Sequence, residues 1–346
     1  MTLRTLVVGL GGMGRCHAMA YHRHTRFEIV GYCTRSGRMP DDMDLPEAPH
    51  YTDYFDALAA LKPDVVSINT YADTHAEYAI AAMRAGAHVF LEKPIATTVE
   101  DARRVEAVAT ETGKKVVVGY ILRHHPSWQR FVSEAKAMGG PYVFRMNLNQ
   151  QSHGQDWAHH KALLASLSPI VDCGVHYLDI MCSVAESTPV AVHAIGLKLA
   201  DDIDTYNYGQ LQIRFADGSV GWYEAGWGPM MSETAYFVKD IITPNGAVSI
   251  EMSNQAGSAN QDSHTKTNAI RVHRADRPAI EDTVINLADE PDHQALCERE
   301  QAFLYDAITQ NLDLSDSLSQ AVQSLAIALA ADQSVVTGQV VDLGEQ

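Results

Sequence analysis

"TLVVGLGGMGRCHAMAY", residues 5–21, leads a short apolar strand pattern through four glycines into a helical pattern. Gly9, Gly11 and Gly14 stand in the spacing G-x-G-x-x-G. That spacing gives a tight turn, a close backbone approach to a pyrophosphate and close helix–strand packing, while the helix N-terminus adds partial positive charge. A plain glycine-rich turn would produce the same letters. Its place, directly after the first strand and opening the first helix, favours a dinucleotide cradle formed by Gly9, Leu10, Gly11, Gly12, Met13 and Gly14.

Working outward, residues 3–120 keep alternating strand and helix. Strands are expected at Thr5–Val8, Glu28–Cys33, Val65–Thr70, His88–Glu92 and Val116–Tyr120. Helices are expected at Gly14–Tyr21, Tyr54–Leu61, Ala76–Ala85 and Val99–Thr112, the last with Thr98 as N-cap and Gly113 as its stop. Near-continuous apolar strands in such an alternation predict a parallel, doubly wound α/β sheet. After Tyr120 the texture changes to longer strand patterns at Pro141–Asn149, Val190–Leu199, Tyr208–Phe215 and Val220–Tyr223, with hairpin signals at 216–219 and Asn245-Gly246. The chain therefore divides into a dinucleotide-binding domain, 1–122, and an α+β domain, 123–346, on a mainly antiparallel sheet. Helices within 292–337 (Asp292–Gln310 and Ser317–Thr337) are expected to pack back on the body. Residues 253–268 are polar and turn-rich, an excursion rather than a linker.

The length, 346 residues, suits two domains with real cores. Twenty-six basic against 43 acidic residues give a net charge of −17, which repels polyanions and excludes nucleic acid and acidic membrane surfaces as natural partners. The five cysteines are scattered without a C-x-x-C pair, arguing against a disulfide framework or a zinc site and for a reducing, cytoplasmic compartment. No run reaches the length of a transmembrane helix.

Ligands of doubly wound sheets lie outside the carboxyl ends of the strands. At the second strand's end, where a ribose-binding carboxylate is expected, the chain reads Cys33-Thr34-Arg35-Ser36-Gly37-Arg38. A solvated basic loop is the plainer reading. Thr34, Arg35, Ser36 and Arg38 also suit a 2′-phosphate, so NADP is favoured over NAD, with NAD possible. Asn69 and Thr70, and then Glu92 and Lys93, end two further strands; locally Glu92-Lys93 reads as well as an ion pair. In "DCGVHYLD" (172–179) a continuous helix would stack Asp172 and His176 at i, i+4, with Asp179 at i+7. The His pairs at 124–125 and 159–160 lack complete ligand spacing, and no metal is expected.

The glycine loop, "EKP" at 92–94 and "DCGVHYLD" at 172–179 together make the whole chain resemble the Gfo/Idh/MocA oxidoreductases. "HAEYAIAAMRAGAHVFLEKPIA" (75–96), "RFADGSVG" (214–221) and "ALAADQSVVTGQVVDL" (328–343) carry the resemblance further. It implies a Rossmann domain, a C-terminal sheet forming a homodimer or homotetramer interface, and hydride transfer between a nicotinamide and a sugar or cyclitol. Lys93, Asp172 and His176 match the family's catalytic set, and the bond before Pro94 is expected to be cis. His176 would be the general acid/base, Asp172 its orienting partner, and Lys93 a donor to the reacting oxygen. His75 follows Asn69 and Thr70 on the cofactor side, and Glu92 is expected to neighbour the nicotinamide. Tyr71 stands where many members have proline, which would alter packing near the nicotinamide. Tyr120, Arg123, His153, Asp156, Trp157 and His160 are candidates for polyol contacts, whereas "GWYEAGWGPMM" (221–231) reads as sheet packing. Two other functions fit the same fold: glycoside hydrolysis through transient oxidation, and a non-catalytic dinucleotide-responsive regulator.

Overall fold

The glycine loop joins the first strand and helix of a six-stranded parallel sheet. The structure is a computed structural model, and it describes residues 1–37, 39–40, 44–232, 238–252, 267–287 and 290–344. Its first compact unit comprises residues 1–121 and 291–322. There β1 (Leu3–Val8), α1 (Gly12–Arg23), β2 (Phe27–Cys33), β3 (His50–Tyr51), α2 (Tyr54–Leu61), β4 (Val65–Ile68), α3 (His75–Arg84), β5 (His88–Leu91), α4 (Val99–Thr112) and β6 (Val116–Val118) follow in turn. The strand order is β3-β2-β1-β4-β5-β6, all parallel. Helices cover both faces, so β4 is buried throughout. Val7, Tyr21, Phe27, Tyr32 and Phe90 centre the core.

Local chemistry sets the ends of these elements. The Thr98 hydroxyl accepts the Asp101 amide at 3.1 Å, and Gly113 closes α4 at φ 65°. Asp53 caps α2 at 2.9 Å in the same way; such caps contribute about 1 kcal/mol each. The strands stop one or two residues short of the expected Thr70, Glu92 and Tyr120. One-sided bonds continue past them: Asn69 N–H donates to Val8 O at 2.8 Å, Glu92 N–H to Ile68 O at 2.9 Å and Gly119 N–H to Leu91 O at 2.8 Å.

The second unit comprises residues 122–290 and 323–346. It contains α5 (Pro126–Met138), β7 (Val143–Gln151), α6 (Gly154–Leu164), α7 (Pro169–Asp172), α8 (Gly174–Ala185), β8 (Pro189–Leu197), β9 (Tyr208–Phe215), β10 (Val220–Gly228), β11 (Lys239–Thr243), β12 (Gly246–Glu251), β13 (Ala269–Arg274) and β14 (Thr283–Asn286). After α9 (His293–Thr309) and α10 (Ser315–Thr337), β15 (Val341–Asp342) completes a nine-stranded sheet of order β14-β13-β12-β11-β7-β10-β9-β8-β15. Among the described residues β7 and β10 run parallel and the other neighbours are antiparallel. Both expected hairpin turns are present: Asp217 accepts the Ser219 amide at 3.0 Å, and a side chain on Gly246 would meet His273 O at 2.0 Å.

α9 and α10 up to Val322 belong to the first unit, whereas the boundary read from sequence assigns everything after residue 122 to the second. The reason is the buried face of α9: Leu304 and Tyr305 enter the core around Phe27, with the Tyr305 and Phe27 rings 5.8 Å apart. Most of the 253–268 excursion lies outside the described residues. Among the described residues no helix is long and apolar enough to cross a membrane.

Candidate functional site

The strand order reverses between β1 and β4, and both the glycine loop and Asn69 sit at the carboxyl ends there. The glycines differ in what they do. A side chain on Gly9, at φ 84°, would lie 2.5 Å from Asn69 O, and one on Gly14 would lie 2.2 Å from Gly9 O. These two close the loop against β4 and against itself. Gly11 has nothing among the described residues within 4 Å of where its side chain would be. It is also the N-cap of α1, with no side-chain cap and no acidic residue in the first turn. Gly11 and Gly12 are exposed at this helix start, which leaves room for a phosphate, and the loop fits a dinucleotide.

At the next strand end, Asn69 is buried and its amide donates to Ser67 O at 3.2 Å. His75, expected among the cofactor groups, is 1% exposed. Its Nδ1 lies 2.7 Å from Pro94 O and its Nε2 3.0 Å from Thr70 O. Burial pushes its pKa down while the two carbonyls pull upward. His75 therefore bridges the chain after β4 to the turn after β5, and its ring is enclosed. The Lys93–Pro94 bond is cis, as the resemblance implies.

Glu92 turns inward. One carboxylate oxygen meets His17 Nε2 at 2.6 Å, and the other accepts the Lys93 amide at 3.0 Å. Gln301 on α9 holds the other His17 nitrogen at 3.0 Å. A side chain at Gly119 would crowd the carboxylate at 3.2 Å. Burial pushes the Glu92 pKa up, but the His17 bond and the His17 and Lys93 charges outweigh it, and the net direction is down. The neighbouring Glu300 goes the other way, raised well above the carboxylate range by burial and by Glu92. Lys93, half-buried, thus extends from a backbone fixed from behind. Sequence reading missed His17 and Gln301; the available signal was a histidine three residues past Gly14, on the inner turn of α1.

At the end of β2, Thr34 N–H donates to Tyr51 O at 3.0 Å, and the Thr34 and Ser36 hydroxyls are 3.4 Å apart. The exposed Arg35 guanidinium lies 5.9 Å from the centre of the Tyr71 ring. Tyr71 thus lies beside this basic turn. Arg38 lies outside the described residues.

In the second unit the helix containing Asp172 is interrupted. α7 ends at Asp172, Cys173 intervenes, and His176 lies in the first turn of α8, its amide donating to Cys173 O at 3.3 Å. Cys173 itself keeps right-handed helical dihedrals, φ −94° and ψ −35°, so one helical residue joins the two elements. Asp172 is half-buried and His176 is 7% exposed. Gln150 gathers the surroundings: its carbonyl oxygen accepts from Trp227 Nε1 at 2.8 Å and from Cys173 Sγ at 3.2 Å. His160 stacks on Trp227 at 4.6 Å, and its Nδ1 meets Ser152 Oγ at 2.9 Å. Burial pushes the His160 pKa down to about 4, against the pull of Asp172. Trp227 is fully buried, in accord with sheet packing, yet it also carries His160.

Other candidates are placed differently. Arg123 forms a two-pronged pair with Asp179, with Nε 2.7 Å from Oδ2. Tyr120 is fully buried. His153 and Asp156 are exposed at the start of α6, and Trp157 is half-buried with Lys161 Nζ 5.8 Å from its ring.

Comparison with known proteins follows the division of the chain. Residues 3–120 match the family described as "Oxidoreductase family, NAD-binding Rossmann fold", and residues 130–237 match the GFO/IDH/MocA C-terminal domain. UDP-N-acetylglucosamine 3-dehydrogenase of Acidithiobacillus ferrooxidans is 28% identical over 58% of this chain and 60% of its own length. Inositol 2-dehydrogenase of Salmonella paratyphi B is 28% identical over 52% of this chain and 54% of its own. The matches thus span little more than half of these relatives. In fold, a NAD binding oxidoreductase from Klebsiella pneumoniae superposes with a TM-score of 0.81 at 18% identity, over 100% of both chains.

Proposed function

The chain belongs to the Gfo/Idh/MocA oxidoreductase family, and from that premise we propose that it is an NADP-preferring dehydrogenase or reductase acting on a CH–OH carbon of a sugar or cyclitol. The observation that carries this reading is the glycine loop, where an uncapped helix start and the open side of Gly11 meet at the switch point of the sheet. The names of the two relatives, one acting on an amino sugar nucleotide and one on inositol, support the substrate class. Arg35, Thr34 and Ser36 support NADP, since no carboxylate ends β2 where a ribose diol would be bound.

When bound, the nicotinamide supplies the hydride acceptor or donor. The chain's own residues handle the proton. His176 removes it from the substrate hydroxyl, because a neutral imidazole is a competent base whereas a free alkoxide is inaccessible at neutral pH. Asp172 orients the base, and Lys93 donates to the oxygen on which charge develops. Glu92 and His17 hold the Lys93 backbone. The partner is a second copy of the chain, through the face of the nine-stranded sheet on which Val220, Ile195 and Leu197 are exposed. The five cysteines are all free thiols, which suits a cytoplasmic setting.

The test is a spectrophotometric screen of aldoses, uronates and inositols with NADP and NAD. On the substrate so found, Lys93→Ala and His176→Ala are expected to lower kcat by about 100-fold or more while NADP still binds. Full turnover in both variants would overturn the catalytic set, and cofactor reduction with none of the panel would overturn the substrate class.

A further inference from the structure

Behind the glycine loop, α1 and α9 bring soft-ligand side chains together that sequence spacing does not. Met13 and Cys16 stand at i, i+3 on α1; His293 and Cys297 stand at i, i+4 on α9. The two Sγ atoms and a ring nitrogen of His293 all lie within 4.8 Å of one another. His293 Nε2 is 3.3 Å from Met13 Sδ, which adds a thioether to the group. We propose that Cys16, Cys297 and His293 form a binding site for one thiophilic closed-shell cation, Zn(II) or Cu(I), with Met13 as a fourth ligand for the softer ion.

Three observations carry this. The donor set is two thiols and an imidazole on one side of a helix pair, which matches the tetrahedral Cys/His chemistry of zinc and of Cu(I). The frame is already built: Asp292 caps α9 by accepting the Ala295 amide at 2.7 Å, and Gln294 Nε2 donates to Cys16 O at 3.1 Å, tying α9 to α1. Access and enclosure are divided, since Cys297 is fully buried and His293 9% exposed, whereas Cys16 and Met13 are half-buried on the approachable side.

Beneath Cys297 the cluster continues inward. Cys297, Glu300 and His17 also bring one ligand atom each within 4.8 Å of the others, and the buried Glu300 Oε1 has no hydrogen-bond partner among the described residues. A cation on the two sulfurs would give that carboxyl a charge to face. Binding displaces the thiol protons to solvent, one from each sulfur, and no electron is transferred. The site lies two residues beyond Gly14, so occupancy would clamp the helix that presents the glycine loop.

The test uses the reduced, full-length protein with Zn(II) and, anaerobically, Cu(I), each titrated against a chromophoric chelator. Co(II) replaces Zn(II) for absorption spectra. The expected result is one cation per chain, a Co(II)–thiolate charge-transfer band, and at least tenfold weaker binding in Cys16→Ala and Cys297→Ser. Met13→Leu is expected to weaken Cu(I) several-fold and leave Zn(II) unchanged. Retained NADP binding in Cys16→Ala, the half-buried position, shows that the fold persists. Unchanged cation affinity in that folded variant, or no binding of either ion at micromolar concentration, overturns the site. Formation of a Cys16–Cys297 disulfide in air with no retained cation under reducing conditions overturns it as well.

Discussion

Arg35 is the residue on which the proposed NADP preference turns. Its guanidinium is exposed beside the Tyr71 ring, and the Thr34 and Ser36 hydroxyls flank it. A charge-assisted bond to a 2′-phosphate contributes about 1.5–3 kcal/mol. Arg35→Ala is therefore expected to raise the KM for NADP by about 10- to 100-fold and leave that for NAD nearly unchanged; parallel initial-rate measurements check this. An equal loss with both cofactors would place Arg35 outside the 2′-phosphate contact. The chemistry of this turn was legible because it depends on residue types next to one another. What Tyr71 does was not: it stands well beyond Arg35 in the chain, and only the parallel sheet brings the ends of β2 and β4 to the same edge. His17 and Gln301 were hidden for the same reason, since nothing in their local sequence points to Glu92.

Elements tell a related story about the glycine loop. Gly14 is needed because α1 packs onto the loop, whereas Gly11 is needed only if a ligand approaches. Gly14→Ala is expected to cost about 1–3 kcal/mol through overpacking, seen as a lower Tm without cofactor. Gly11→Ala should leave the stability without cofactor within about 0.5 kcal/mol of the parent and lose nucleotide affinity, checked by calorimetric titration. If both variants lost stability equally, the open side of Gly11 would have no bearing on binding. The elements themselves were legible where local bonds set their ends. α4 runs between Thr98 and Gly113, and α9 between Asp292 and Gln310. Reading failed where the backbone departs from a regular period. β11 to β14 are short strands ordered by pairing with neighbours rather than by a strong pattern of their own.

For the whole molecule, acid is the revealing condition. The His88 pKa is pushed down to about 4 by burial and by Lys114 and Lys115, and its Nδ1 accepts the Lys115 amide at 2.9 Å. His160, stacked in the other unit, also lies at about 4. Unfolded histidines titrate near 6.5, so between those values the unfolded chain binds more protons than the folded one. The stability from these neutral rings is complete above about pH 6.5 and is lost as pH falls toward 4. Tm is expected to drop already between pH 6.5 and 5, before most carboxylates protonate, and His88→Asn should flatten that part of the curve. A flat profile in both proteins would contradict it. Finally, the ends of the nine-stranded sheet limit how copies can join. β15 is two residues long and β14 four, so neither border offers a long row of free amides and carbonyls as a template. Growth by strand addition, the route to fibres, has little to build on, and the proposed face-to-face pairing of copies would close into a finite assembly. Light scattering on concentrated protein should therefore plateau at a fixed mass instead of climbing with time.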